Sequence, residues 1–345
     1  MASDIEDVLT DRQLNRSLLA RQLLLERTPS AIPQVLEQMA GLQAQYAPAI
    51  YVGLWSRARE VGRDAVTGLL ENRKIVQGTL LRSTIHVVCA ADYWPFALGI
   101  REERRRWLQR TAPEDAAGMA KAADGLRDAL KAGPMRQGEI DKLLGPRMRN
   151  HVPAWLEMIR VPPSGTWERR RADLYCLAED WIGPPSGTAD EGIELLVRRY
   201  LGGFGPATRK EIAQWAGMSV TALRPVLDRL ELRRFRAEDG AELLDLPGAP
   251  LPDADTPAPV RFLANWDASL LVHARRSGIL PERYRKRIFH TRAPHSFATF
   301  LVDGAVAGTW RHEGGRIVFD EFHPQPRSVR RQMAEEGERL AAFHA

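Results

Sequence analysis

Cysteine is almost missing from this chain. Cys89 and Cys176 are the two in 345 residues, too few for a disulfide framework and without the neighbours of a zinc site. They fit a reducing cytoplasm, which is the expected location. Long apolar runs are missing too: none reaches a membrane-spanning length, and the acidic start Met1-Ala2-Ser3-Asp4-Ile5-Glu6-Asp7 has no apolar core behind it. Neither a membrane partner nor a secretory signal is expected. Also lacking are a Gly-x-x-x-x-Gly-Lys-Ser/Thr loop, a Gly-x-Gly-x-x-Gly after a strand and a His-Glu-x-x-His helix, which argues against phosphoryl transfer and zinc chemistry. No metal and no cofactor are expected. What is present is a near balance of charge, 49 Lys plus Arg against 44 Asp plus Glu, with a pI of about 9.4. The local excesses are mostly arginine, which favours anionic partners.

The chain reads as α+β, in four parts: residues 1–117, 118–189, 190–247 and 248–345. In the first, apolar positions Leu14, Leu18, Leu24 and Leu25 give one helix, and Val35, Leu36, Met39 and Leu42 a second. After a helix near 63–71, Ile75 to Leu80 and Ser83 to Val88 read as two strands, with Arg82 in the turn between them. Helices followed by a hairpin are the outline of a winged helix, and its wing would present Arg82 to a phosphate backbone. His86 falls on the second strand, where a satisfied core histidine is the ordinary reading.

An internal repeat extends this outline. Gly133-Pro134-Met135-Arg136-Gln137-Gly138-Glu139-Ile140 matches Gly205-Pro206-Ala207-Thr208-Arg209-Lys210-Glu211-Ile212 at an offset of 72 residues. In the later copy Ser219 is placed to cap a third helix, and Asp239-Gly240 turns a strand pair. In the earlier copy the third helix is expected near Val152 to Ile159, and the wing from Arg160 through Pro162-Pro163-Ser164-Gly165 to Leu177. About three winged helices in tandem are therefore expected. A Pro-rich linker of five prolines between 247 and 259 follows. Beyond it come short strands, one pair joined by Asp303-Gly304, that suggest a small barrel-like β subdomain, or a sandwich, with a helix from Ser328 to Phe343 packed against it.

Two stretches are strongly basic. Residues 101–110 hold five arginines and two glutamates, enough for a solvated helix face, with phosphate contact as the sharper alternative. Residues 273–292 hold seven Lys or Arg against one acid, and His273, Arg275 and Arg276 open that stretch. Without compensating carboxylates it is better read as a nucleic-acid contact, one that would make binding salt-dependent. Asp267 and His273 form a possible acid-base pair, although an Asp before an apolar run more often caps a helix.

The chain's organising stretch is Gly41-Leu42-Gln43-Ala44-Gln45-Tyr46-Ala47-Pro48, at the junction of two helices. Two amides with this spacing share a face only if the backbone leaves helical geometry between them. This run, with Gly53-Leu54-Trp55-Ser56-Arg57, Leu81 to His86, Trp266-Asp267 through Pro281, and Phe300 to Trp310, resembles the AlkZ/YcaQ-type family of winged-helix DNA glycosylases over nearly the whole chain. Ser83 stands where that family's hairpin element leads one to expect Gly. The resemblance implies tandem winged helices with a β-rich C-terminal part forming a concave, basic DNA channel. It also implies a catalytic Gln-x-Gln motif, here Gln43 and Gln45, and excision of N7-alkylguanine lesions, bulky adducts and interstrand crosslinks included.

An N7-alkylated guanine is already cationic and leaves as a neutral base, so a protonated acid is unnecessary. Side-chain carbonyls can orient a water and stabilise developing positive charge. Gln45 is the candidate for orienting the water, and Gln43 for polarising it or contacting the sugar. The hairpin Ala305 to Phe319, with Arg311 and His312 near its tip, is a candidate for insertion into a groove. The expected partner is double-stranded DNA containing alkylated guanine, bound by a monomer. The competing reading is a non-catalytic DNA-binding protein, a regulator or an adduct-sequestering factor, which would have no need of Gln43-Ala44-Gln45.

Overall fold

The structure, a computed structural model, describes residues 6–112, 114–274, 278–290 and 295–345. Several of its helices begin where the sequence supplies caps. Thr10 and Gln13 cap the helix Asp11–Arg21 reciprocally, Thr188 and Glu191 do the same for Ala189–Phe204, and Ser219 accepts from the Ala222 N–H to start Val220–Arg229. The repeated Gly-Pro segments also fold alike. Met135–Arg136 adds a short strand to Leu174–Leu177, and Ala207 bridges Leu244. In each copy the matching glutamate, Glu139 or Glu211, then accepts the backbone N–H of Arg136 or Thr208 at 2.7 Å to open a helix.

The molecule is a mixed α+β fold, with four sheets among the described residues. The largest has six strands in the order Leu42–Gln43, Ile85–Cys89, Ile75–Thr79, Met158–Arg160, Leu174–Leu177, Met135–Arg136. Hairpins from the first two sequence segments are therefore joined edge to edge, through Gln77 opposite Arg160 and Gly78 opposite Ile159. Glycine is needed at 78, where a Cβ would sit 2.5 Å from the Tyr93 ring. The third hairpin, Arg233–Ala237 with Glu242–Asp245, takes Val8–Leu9 as a parallel third strand, so the chain's start is bound to its third segment.

Two helices form the spine, Ala90–Thr111 and Ala189–Phe204. They cross where Gly99 meets Gly192. A Cβ at Gly192 would overlap the Pro95 carbonyl oxygen and stand 2.9 Å from the Gly99 nitrogen. Gly192→Ala must push the helices apart, and a loss of about 1–3 kcal/mol is expected, as for other overpacked cores. A urea midpoint equal to that of the wild type would show instead that the crossing absorbs a methyl.

Two expectations are corrected. The helix expected near Val152 to Ile159 is one 3-10 turn, Val152–Ala154, and Met158–Arg160 is a strand. β-branched Ile159 fits the sheet edge that Ile75–Thr79 offers, opposite Gly78, and this pairing draws Met158–Arg160 into the sheet. The C-terminal barrel does not close. Arg261–Leu263, Thr299–Val302, Ala305–Glu313 and Arg316–Glu321 form an open antiparallel sheet in that order, with a separate two-stranded piece, Phe289–His290 with His295–Ser296. The helix Arg327–His344 packs Met333 and Leu340 into the apolar cluster that holds Phe262, Phe300 and Trp310. Leu42 and Ala44 belong to the same cluster, which beds the organising stretch against the C-terminal sheet.

Candidate active site

The backbone around the two glutamines is extended because the chain is forced out of helix on both sides. The helix Ile32–Gln38 ends, and Ala40 (φ +61°) and Gly41 (φ +79°) turn the chain. A Cβ at Gly41 would meet Val88 at 2.8 Å, so the position needs glycine twice over. Leu42–Gln43 then pairs with Ile85–Cys89, Gln43 opposite His86, and the Ala44 N–H donates to the Ile85 carbonyl at 2.7 Å. Pro48 lies in the first turn of the next helix, Ala47–Trp55. Gln43 therefore sits on a short strand, and Gln45 falls in the bend between that strand and the next helix, so neither side chain is on a continuing helix.

Their surroundings differ. Gln43 is 9 % exposed and accepts a hydrogen bond from Arg82 Nη2 at 3.4 Å. Gln45 is exposed and lines a cleft of about 560 Å³. Tyr46, Trp266 and Phe297 contribute rings to it, His295 and His312 imidazoles, and Arg170 and Arg311 positive charge. Among the described residues no carboxylate lines it. Such a cleft suits a planar group carrying, or flanked by, phosphate, since rings offer stacking faces and arginines offer paired donors.

The other sequence candidates distribute unevenly. Arg82 does not point out from a hairpin tip: it sits in the 3-10 turn Leu81–Ser83, partly buried, and its Nη1 donates to the Trp215 carbonyl. Burial pushes its guanidinium down to about 10. His86 is 3 % exposed with Nδ1 at 3.0 Å from the Thr84 carbonyl, an acceptor, so Nδ1 carries the proton. Burial first, then the nearby Arg82 charge, push His86 down to about 3, and the same causes hold His273 well below its ordinary value. Both imidazoles are neutral and packed inside the molecule, as the ordinary reading of His86 has it. Among the described residues neither ring nitrogen of His273 has a hydrogen-bond partner. Asp267 is not its partner; it caps a turn through the Ser269 N–H and pairs with buried Arg57 at 2.9 Å. Arg275 and Arg276 lie outside the described residues. Arg311 is exposed on the strand Ala305–Glu313 and paired with Glu313, and His312 stacks on His344 with ring centroids 4.5 Å apart.

The sequence profile of the family described as DNA glycosylase AlkZ-like matches residues 36–343. The chain belongs to the AlkZ-like DNA glycosylase family. Its similarity to one curated relative, the interstrand DNA cross-link repair glycosylase of Streptomyces sahachiroi, is 21 % identity covering 90 % of each chain. The solved structure of the S. sahachiroi DNA glycosylase AlkZ superposes with a TM-score of 0.79 at 18 % identity, covering 97 % of both chains. The fold is therefore shared, and the family's members are enzymes.

For an AlkZ-like glycosylase, the sequence reading left part of the cleft unassigned. Trp167 and Arg170 come from the loop of the second hairpin, and Arg170 Nη1 donates to the Tyr46 hydroxyl at 3.1 Å, tying that loop to the glutamine stretch. The run Arg169-Arg170-Arg171 was the available signal, yet nothing local says that this loop reaches Tyr46. Asn265 and Trp266 were missed similarly; Trp266 has φ +60°, an unusual value for a bulky residue. Among the described residues no helix is long and apolar enough to cross a membrane.

Proposed function

We propose that this AlkZ-like glycosylase is monofunctional and hydrolyses the N-glycosidic bond of N7-alkylguanine lesions in duplex DNA, bulky adducts and interstrand crosslinks included. The observation that supports the reading is Gln45 on the lining of an aromatic cleft that, among the described residues, no carboxylate lines, two residues after a Gln43 buried against Arg82. A water held by the Gln45 carbonyl attacks the anomeric carbon as the bond to the base breaks. The electron pair of that bond neutralises the cationic purine, which departs without a proton from the enzyme. Gln43 aims its amide dipole at the sugar or at the water. A glutamine is too weak a base to take a full proton early, so acceleration comes from positioning and fixed dipoles, and selectivity from the lesion's own charge. A cleft of this size admits a substituted base without requiring a tight flipping pocket.

In this reading, residues 1–117, 118–189 and 190–247 act as winged-helix units that, with the C-terminal sheet of 248–345, border a basic DNA channel. The enzyme works as a cytoplasmic monomer. The hairpin ending at Gly314-Gly315 brings Arg311 and His312 to the DNA, together with Arg82, Arg275 and Arg276. His86 and His273 support that contact from behind. Arg311→Ala is expected to weaken duplex binding about threefold to tenfold and to lower the salt slope by about one. Unchanged affinity would remove the hairpin from the interface.

The direct test is incubation of the wild-type protein with a duplex carrying N7-methylguanine. Free base and alkali-sensitive abasic sites are expected. Tight DNA binding with no release of any N7 adduct would overturn the reading in favour of a binding or sequestering protein.

A further inference from the structure

The turn that carries Arg82 is strained and locked. Arg82 has φ +53°, ψ +25° and Ser83 φ +56°, two successive left-handed residues without glycine's freedom. The third segment holds the turn in place. Trp215 accepts from Nη1 through its carbonyl, and Gly217 comes so close that a Cβ there would stand 3.0 Å from the Arg82 nitrogen. Nη2 meets Gln43 Oε1. Among the described residues no carboxylate pairs with this guanidinium. The imidazoles whose charging it opposes, His86 and His273, are neutral. It also lines a second cleft, of about 490 Å³, beside Trp107, Arg110 and Ser219.

An unneutralised cation touching Gln43 opposes a reaction that builds positive charge on the sugar. The opposition vanishes if an anion arrives with the substrate, and DNA brings phosphates. A guanidinium offers five donors in a fixed fork, so it can keep Gln43 on one edge and take a phosphate on another.

We propose that Arg82 is a positioning residue: a DNA phosphate entering the cleft between Trp107 and Ser219 fixes its guanidinium, and the guanidinium fixes the Gln43 amide. This rests on the excision reading above. It assigns Arg82 a role in the rate of base release at saturation, beyond a contribution to affinity.

The test compares wild type, Arg82→Lys and Arg82→Gln, each checked for a cooperative thermal transition. Two quantities are measured: the single-turnover rate of base release from an N7-methylguanine duplex at saturating protein, and the salt slope of binding to undamaged duplex. Lysine keeps the charge but is a point donor, so Arg82→Lys should retain the salt slope and still release base at least tenfold more slowly. Arg82→Gln should lose a similar factor in rate and about one unit of slope, since one phosphate contact disappears. Combined with Gln43→Ala, Arg82→Lys should add little further loss, the mark of two residues acting as one device. A saturated rate in Arg82→Lys equal to that of the wild type, or full additivity with Gln43→Ala, would overturn the positioning role while leaving excision intact. A wild type that releases no base would instead overturn the excision reading and this role with it.

Discussion

Gln45→Ala is expected to slow single-turnover base release at least a hundredfold while leaving affinity for undamaged duplex within about twofold. The size follows from the role. Removing one fixed dipole aimed at a transition state costs about 10²–10³ in rate, or about 2.7–4 kcal/mol. Affinity should hold because Gln45 is one exposed amide in a cleft whose arginines and rings remain, and because the side chain bears no charge for counterion release to report. Gln45→Asp keeps an oxygen facing the water and should retain more activity than the alanine variant. Equal base release by the wild type and Gln45→Ala would remove Gln45 from the water-handling step. A loss of affinity as large as the loss of rate would mean that the side chain holds DNA rather than the nucleophile.

The contrast between Gln45 and its neighbours shows what a sequence can and cannot carry. Local instructions were legible: Asp303 and Gly304 make the turn with φ +47° and +79°, Ser219 caps its helix, and in both Gly-Pro segments the matching glutamate accepts the backbone N–H that opens the helix. The junction of two helices was visible from Pro48, but Leu42, counted with the second helix, instead begins the short strand Leu42–Gln43, because Ala40 and Gly41 turn the chain after Gln38. Pairings made over long sequence separations were not. Nothing near Ile75 or Met158 announces that their hairpins share one sheet, and nothing near Val8 announces a partner at Arg236. Barrel closure is of the same kind, because it depends on whether Arg261–Leu263 and Arg316–Glu321 meet, and the helix Arg327–His344 covers the sheet instead. The basic character of 273–292 was correctly read as composition, yet His273 itself is inside, because a residue's side of the surface is fixed by packing that charge counts do not see.

Asp245→Ala is expected to cost about 3–5 kcal/mol of stability, the largest single-residue loss anticipated for this chain away from the site. Arg21 and Asp245 have no side-chain exposure and meet through two parallel hydrogen bonds, Nη1 to Oδ1 at 2.6 Å and Nη2 to Oδ2 at 2.7 Å. The same guanidinium donates to the Leu201 carbonyl at 2.8 Å and the Pro250 carbonyl at 2.9 Å, so one buried charge joins the first helix, the spine helix, the third hairpin and the proline linker. Deleting the carboxylate strands that charge without water, and breaking one partner of a buried pair typically costs this much. With an unfolding entropy of about 2.1 cal/mol/K per residue, a chain of 345 residues loses about 1.4 °C per kcal/mol, so the melting temperature should fall by about 4–7 °C. Replacing both residues, Arg21→Met with Asp245→Leu, removes the stranded charge and should recover most of the loss. A midpoint for Asp245→Ala within about 2 °C of wild type would mean that the guanidinium finds water or another acceptor. Well below its midpoint, the folded Asp245→Ala protein should still release base at the wild-type single-turnover rate, because the pair makes no contact with Gln43, Gln45 or the cleft beside them. Gln45→Ala should show the reverse, a normal melting temperature with excision gone.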